Sequence, residues 1–233
     1  DLRAGDVTSF SKQEAKTLLL GLLVAADHDW HETATRILLE HGLDHETVSR
    51  VIEWSIEVEG YDSAKKLALV DLSLSWLRKM SRPEARDFVA ASHALIEADG
   101  EVCLFEFMLQ KVIQRHVLIG LALKPVPPMR FRKLEDLERE LADLLGVFAA
   151  LGGGDPAIAK AAAGYRDQTG RDLPRHTAGL AEVSEALVKM DAATPLVKQG
   201  ILRLCALVAT DDRQVTDQEM ELLRATAEAI GAP

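Results

Sequence analysis

A short acidic turn between two apolar helical runs occurs twice in this chain and constrains its fold more than any other feature. The two copies occupy residues 94–109 and 206–223. Superposing them aligns three pairs of residues: Asp99 with Asp212, Val102 with Val215, and Glu106 with Glu219. Each copy therefore consists of an aspartate, three residues and a new helix whose fourth residue is glutamate. The sequence predicts a helix-turn-helix unit used twice, once in each of two related halves.

The second copy contains the clearer helix-start signal. Thr216 is placed to accept the amide hydrogen of Glu219, whose side chain can reach back to the Thr216 amide, and this arrangement is a capping box. In the first copy Cys103 occupies the cap position, where a thiol is a poorer acceptor than a hydroxyl. The sequence therefore predicts a weaker cap at Cys103. Val102 and Val215 precede the two caps, as hydrophobic-staple residues do.

Further helix-start signals are spread along the chain, and no segment shows the sustained alternation typical of a strand. Ser11 and Glu14 match a capping box, Asp44 is placed as an N-cap, and Pro83 follows Ser81 in a first helical turn. Hydrophobic residues make up 48% of the chain but aromatic residues only 5%, which favours packed aliphatic helices. We therefore predict an all-α fold of about eleven helices, near residues 11–26, 33–41, 46–59, 63–79, 81–98, 104–117, 134–151, 157–165, 177–190, 195–209 and 217–230.

A proline-rich segment divides the sequence. Three prolines within four residues, at positions 125–128, cannot be helical. We predict a linker at residues 123–133, which joins a helical half at 1–122 to a second at 134–233. The segment also carries the one basic cluster of an acidic chain: Arg130, Arg132 and Lys133. It is interpreted either as a flexible solvated linker or as a contact site for a membrane surface or an acidic partner.

Residues 95–107 read Leu-Ile-Glu-Ala-Asp-Gly-Glu-Val-Cys-Leu-Phe-Glu-Phe. This stretch resembles the cytoplasmic C-terminal region of bacterial membrane zinc endopeptidases of the HtpX-like and CAAX-protease-like group, a region that is itself similar to the TerB-like helical domain. Residues 67–81 and 215–232 fit the same pattern in the same order. Two positions depart from it, because Cys103 stands where that family usually has serine and Arg213 stands where a glycine follows the second aspartate.

The resemblance implies a TerB-like fold at the cytoplasmic face of the bacterial inner membrane. The zinc ion, the His-Glu-x-x-His helix and the membrane spans of such a protein would lie upstream of Asp1. The parent protein is then expected to be a zinc metalloendopeptidase, and this fragment a regulatory or interaction domain without catalytic residues or a cofactor of its own. Its expected partners are the upstream protease and membrane domain and a further protein. The alternative is a free-standing TerB-like stress-response module that binds a divalent cation through its acidic turns.

Charge and hydropathy limit the partners further. The formal net charge of −10 and the isoelectric point near 5.2 argue against nucleic acid as a partner. The apolar run at residues 18–26 is much shorter than the roughly 20 residues that span a bilayer, so we predict no membrane span. Cys103 and Cys205 lie in apolar helical patterns and are interpreted as reduced core thiols rather than as a disulfide or a zinc site.

The acidic turns are the first candidate for a metal site. Several carboxylates on a tight turn suit Ca²⁺, and five residues are candidate ligands: Asp99, Glu101, Glu106, Asp212 and Glu219. Neither copy has the alternating acidic positions of a twelve-residue EF-hand loop. The favoured interpretation is helix capping and turn formation. A calcium site is the alternative, more readily in the first copy, where Gly100 permits a tighter backbone.

Three other patterns resemble functional sites, but none forms a catalytic constellation. Four histidines and Glu32 fall within residues 28–45: His28, His31, His41 and His45. A predicted helix break at Gly42 separates the last two, which spoils the one-face geometry of a zinc helix. The run at residues 152–155 predicts a helix end followed by an N-cap at Asp155, because the strand and the Lys-Ser/Thr pair of a phosphate loop are missing. Ser92 and His93 are neighbours, which do not face each other on a helix.

Overall fold

The fold is built from helices, and the all-α prediction of about eleven helices is confirmed. The computed structural model describes residues 10–25, 30–98, 100–152, 154–209 and 215–232, and in these ranges it contains eleven α-helices and no strand. A π-helical segment, Gln114–Ile119, follows α6, and a 3-10 turn, Leu134–Leu137, precedes α7. The α-helices are α1 (Lys12–Val24), α2 (His31–Glu40), α3 (His45–Val58), α4 (Ser63–Leu77), α5 (Arg82–Ile96), α6 (Leu104–Ile113), α7 (Glu138–Leu151), α8 (Gly154–Thr169), α9 (Leu180–Asp191), α10 (Pro195–Ala209) and α11 (Asp217–Ile230).

Short polar side chains begin several of these helices where the sequence predicts. Ser11 caps α1, and Asp44 caps α3 by accepting an amide hydrogen bond of 2.8 Å. Ser81 and Glu84 form a full capping box at the start of α5. Glu84 also accepts a 2.7 Å hydrogen bond from Lys12. This bond, together with the amide of Ser81, lowers the pKa of Glu84 to about 2.

The first of two compact units comprises Asp1–Glu106 and His116–Lys124. Its centre is α1, which packs against α3, α4 and α5. Five leucines of α1 are almost completely buried: Leu18, Leu19, Leu20, Leu22 and Leu23. Gly21 allows α3 to come close, because a Cβ atom at Gly21 would lie 2.6 Å from Trp54 Cβ and 2.9 Å from the Val51 carbonyl oxygen.

Glu14 has different partners from those that the sequence predicts. The pattern predicts that its carboxylate returns to its own helix start. The carboxylate instead accepts hydrogen bonds from Arg50 Nε (3.3 Å), Arg50 Nη2 (3.2 Å) and Trp54 Nε1 (3.1 Å). The Arg50 guanidinium also lies 4.8 Å from the centroid of the Trp54 ring. A carboxylate expected to act locally therefore ties α1 to α3.

The second unit comprises Phe107–Arg115 and Pro125–Pro233. Its centre is α7, which packs against α8, α9, α10 and α11. The predicted boundary at residue 122 differs from this division, since most of α6 and residue 125 onward belong to the second unit.

Several helix boundaries differ from the predictions. The single helix predicted at residues 104–117 is α6 followed by the π-helical segment, and the one predicted from residue 134 begins as a 3-10 turn. α8 begins at Gly154, whose φ of +58° is left-handed. Asp155 therefore lies inside the first turn of α8 rather than capping it. α9 begins at Leu180, three residues later than predicted.

The predicted linker at residues 123–133 is held at its C-terminal end. The amides of Arg130 and Phe131 donate to the Ala192 carbonyl at 2.7 and 3.2 Å, and the amide of Thr194 donates to the Phe131 carbonyl at 2.9 Å. Phe131 and Ala193 form an isolated parallel bridge. Backbone hydrogen bonds thus fix residues 130–131 against the connection between α9 and α10.

None of the helices in the described ranges has both the length and the apolar character needed to cross a bilayer.

Candidate functional site

The first acidic turn uses its buried glutamate as a helix cap. Glu106 is 3% exposed, and its Oε2 accepts a 2.8 Å hydrogen bond from the Cys103 amide. In return the Glu106 amide donates to Cys103 Sγ at 3.5 Å. The predicted capping pair is therefore present, with sulfur as the acceptor. Glu101 is exposed, and Asp99 lies outside the described residues.

The second acidic turn has the same arrangement with an oxygen acceptor. Glu219 is 2% exposed, and its Oε2 accepts hydrogen bonds of 2.8 Å from both the amide and the hydroxyl of Thr216. The Glu219 amide donates to Thr216 Oγ1 at 3.2 Å. The carboxylate also lies against Gly152, where an added Cβ would be 2.7 Å from Glu219 Cδ. Asp212 lies outside the described residues.

The five proposed metal ligands are thus only partly located by the structure. Glu106 and Glu219 direct an oxygen at the start of their own helices, and neither is grouped with other donors, because the described ranges contain no cluster of three or more His, Cys, Asp or Glu side chains able to hold a metal ion. The favoured capping role has direct hydrogen bonds in its support. Metal binding through Asp99, Glu101 and Asp212 stays a prediction.

The described histidines of the cluster at residues 28–45 have local roles. His41 Nδ1 donates to the Ile37 carbonyl at 2.8 Å, at the end of α2, and His45 is the first residue of α3. Ser55 Oγ donates to the Ile52 carbonyl at 2.8 Å, so the His31 ring nitrogen 3.1 Å away donates to that hydroxyl. This direction is opposite to the one that would activate a serine nucleophile. His28 lies outside the described residues.

The two cysteines are not disulfide-bonded, and their environments suppress reactivity. Cys205 is fully buried in α10, and burial raises the pKa of its thiol. Cys103 is exposed as a residue, but its sulfur is partly covered, against the expectation of a core position. This burial, with the Glu106 carboxylate beside the sulfur, raises the pKa of Cys103 to about 11.

A groove in the second unit is the most prominent surface feature outside the acidic turns. Residues 126–135 and the first half of α10 line two adjoining cavities of about 900 and 310 Å³, and Gln199 and Leu202 belong to both. We call this feature the α10 groove. Its walls carry the three most exposed large apolar side chains of the described residues: Val126 at 65%, Met129 at 66% and Leu196 at 76%.

Cations surround the α10 groove. Arg132, Lys133 and Arg203 line the larger cavity, and all three are exposed. Within the described part of the chain, no carboxylate forms an ion pair with these side chains. Glu135 also lines the cavity, and the Asp136 carboxylate accepts the backbone amides of Arg132 and Lys133 at 3.2 Å. The rim is therefore predominantly, but not purely, basic.

The smaller cavity has a fixed ionic floor. Asp191 is 7% exposed and accepts hydrogen bonds from Arg115 Nη2 at 2.8 Å and Lys198 Nζ at 3.1 Å. Arg115 also donates to the last-turn carbonyls of Glu228 (2.8 Å) and Ala229 (2.7 Å). The guanidinium thus joins the C-terminal ends of α9 and α11, and Lys198 connects α10 to the same Asp191 carboxylate. A Cβ atom at Gly231, with a φ of +68°, would lie 2.7 Å from Arg115 Cζ.

Part of this groove was visible in the sequence. From the sequence, the basic, proline-rich segment is interpreted either as a flexible linker or as a contact site for a membrane surface or an acidic partner, and this segment forms one wall of the groove. The opposite wall was missed, because Leu196 and Arg203 carry no local signal beyond the Thr194–Pro195 helix start. The ionic floor was missed for the same reason, since its residues are separated by up to 114 positions along the chain.

Comparison with known proteins gives no match to any family model, to any curated protein or to any solved structure.

Proposed function

We propose that this chain is a non-catalytic interaction module that recognises a protein segment through the α10 groove. One observation carries this role: the three most exposed large apolar side chains of the described residues line a single concave surface. Soluble proteins rarely leave a large apolar patch uncovered unless something binds there. The groove volumes also lie in the range typical of binding pockets.

The resemblance to membrane zinc endopeptidases supplies the cellular setting of the proposal. In that setting the chain is a TerB-like regulatory region at the cytoplasmic face of the bacterial inner membrane. The upstream protease and membrane domain of the same chain would hold the zinc ion and the catalytic residues. The feature that supports this setting is the family-like stretch at residues 95–107.

The competing role is divalent-cation binding by a free-standing TerB-like module. The two buried glutamates argue against it, because each already accepts its own helix-start amide. The role would therefore depend on Asp99, Glu101 and Asp212, and no described contact favours it.

Proteolysis by the full natural protein tests the setting. The natural coding frame is read upstream of Asp1, and the protein it encodes is incubated with casein, with and without a chelator. We expect an upstream His-Glu-x-x-His segment, cleavage that the chelator abolishes and zinc restores, and no cleavage by residues 1–233 alone. A start codon within a few residues of Asp1, or zinc-dependent cleavage by residues 1–233 alone, would contradict the proposal.

A further inference from the structure

We propose that the occupant of the α10 groove is an acidic protein segment with one bulky apolar anchor, and that the anchor enters the smaller cavity while its acidic flanks meet the basic rim. This inference rests on the proposed interaction role and specifies its ligand. The groove residues that carry it are Val126, Met129, Leu196, Arg132, Lys133 and Arg203.

The charge of the rim identifies the flanks of the ligand. The chain has 37 acidic and 27 basic residues, so carboxylates are abundant. Some exposed cations elsewhere in the second unit do pair with them, as Arg166 does with Asp172 and Arg175 with Asp155. Scarcity of acids therefore does not explain why Arg132, Lys133 and Arg203 have no carboxylate partner in the described ranges. An acidic ligand would supply the missing partners, and the net charge of −10 would repel it from most other surfaces.

The smaller cavity identifies the anchor. Val126, Pro127 and Met129 form an apolar wall, and Pro195 and Leu202 form another, around about 310 Å³. Its two charged lining residues are already engaged, because the Asp191 carboxylate binds both Lys198 and Arg115. A polar anchor would find few free partners there, whereas a bulky apolar side chain would cover the exposed surface of Val126 and Met129.

The groove is held in shape before a ligand arrives. Backbone hydrogen bonds fix residues 130–131 against residues 192–194, and the Asp191 cluster joins α9, α10 and α11. A fixed site loses little conformational entropy on binding, which favours a short peptide as a ligand.

A protein segment fits these features better than a lipid bilayer does. The apolar side chains line a concave surface, and the acidic residue Glu135 also lines the larger cavity. A flat anionic membrane would meet the net negative charge of the chain and would not reach the floor of the smaller cavity.

The first experiment selects peptide ligands without assuming the amino-acid sequence of the ligand. A phage-displayed library of random twelve-residue peptides is selected on the whole chain, and an enriched peptide is measured by fluorescence anisotropy. We expect enriched peptides to combine an aromatic or aliphatic anchor with several Asp or Glu residues, and their affinity to fall as salt is raised. Vesicles of phosphatidylcholine and phosphatidylglycerol in equal parts form a parallel arm, in which we expect no binding.

Matched variants locate the binding. Leu196→Asp and the double variant Arg132→Glu/Arg203→Glu should each lower the affinity for the peptide by at least about tenfold. Loss of a central interface contact has an effect of this size. Val188→Asp and Arg171→Glu are the controls, because Val188 is 60% exposed and Arg171 is exposed but neither lines the groove. We expect the controls to change the affinity by less than about twofold.

The outcomes separate this inference from the interaction role itself. Enriched peptides that lose affinity for Leu196→Asp but lack acidic residues would overturn the proposed ligand and leave the interaction role in place. Enriched peptides that bind equally to Leu196→Asp would overturn both, because they would bind outside the α10 groove. Vesicle binding that Arg132→Glu/Arg203→Glu abolishes, or a dimer in solution that Leu196→Asp dissociates, would show a different occupant and overturn the inference. Enrichment of no peptide over an unrelated helical protein would overturn the interaction role as well.

Discussion

Gly152→Ala tests whether the buried carboxylate of Glu219 is a structural cap. The new methyl group would lie 2.7 Å from Glu219 Cδ and closer still to Oε1, so the carboxylate must leave its position. Loss of a capping interaction costs about 1 kcal/mol, and a displaced buried polar group costs about 1–3 kcal/mol more. The lower entropy of the unfolded alanine variant offsets about 0.4–1 kcal/mol. We therefore expect the free energy of unfolding to fall by roughly 1–3.5 kcal/mol.

A double-mutant cycle with Glu219→Ala isolates this contact. Urea unfolding is followed by circular dichroism for the original chain, both single variants and the double variant. In the Glu219→Ala background the clash is absent, so Gly152→Ala should cost less than about 0.5 kcal/mol. Gly60→Ala is the matched control, because no atom lies within 4 Å of its added Cβ. Equal costs of Gly152→Ala in both backgrounds would refute the reasoning.

Calcium added to the same four proteins separates a cap from a ligand. A cation that binds only the folded chain raises its stability by mass action. If Glu219 acts only as a cap, any change of the unfolding midpoint with Ca²⁺ is the same with and without Glu219→Ala. A midpoint that rises with Ca²⁺ in the original chain but not in Glu219→Ala would show that this carboxylate binds metal. The corresponding test of the first turn is Asp99→Ala.

Three further predictions follow from the polar contacts. Arg115→Met should lower the free energy of unfolding by about 3–5 kcal/mol in urea, because it leaves the buried Asp191 carboxylate with one cation; a cost below about 1 kcal/mol would contradict the structure. The pKa of Glu84, lowered from 4.5 to about 2, means that this carboxylate stabilises the fold above pH 4.5 and loses its effect as the pH falls toward 2. Since the ion pair is partly exposed, Glu84→Gln should remove at most about 1 kcal/mol at pH 7, and this loss should shrink toward zero as the pH falls through about 2. Because its pKa is raised to about 11, Cys103 should react more slowly with iodoacetamide at pH 8 than free cysteine does. Glu106→Gln should speed this reaction, and a rate equal to that of the original chain would contradict the assigned contact between Glu106 and Cys103.

The sequence predicts the parts of this fold that depend on neighbouring residues. The Ser81 and Thr216 capping boxes close within four residues, so their patterns are sufficient to locate the helix starts. Glu14 shows where this reasoning fails. Its spacing from Ser11 is that of a capping box, but Arg50 and Trp54 compete for the carboxylate, and they are 36 and 40 positions away.

The predictions of helix boundaries fail for a related reason. Asp155 before Pro156 has the pattern of an N-cap, but Gly154 can take a left-handed conformation and the helix begins there instead. The change from α-helix to π-helix at Gln114 has no local signal in the sequence. The adjacent Arg115 binds groups up to 114 positions away, so its role depends on contacts that no sequence pattern predicts.

The position of Arg115 links the stability of the second unit to the shape of the α10 groove. Its guanidinium holds the ends of α9 and α11, and the Asp191 carboxylate that it binds also holds Lys198 on the groove wall. Leu196, in contrast, is 76% exposed, so its replacement should change ligand binding with little effect on folding. Loss of binding in Leu196→Asp at unchanged stability would therefore locate the ligand in the groove, whereas loss of binding in Arg115→Met would report the collapse of its floor.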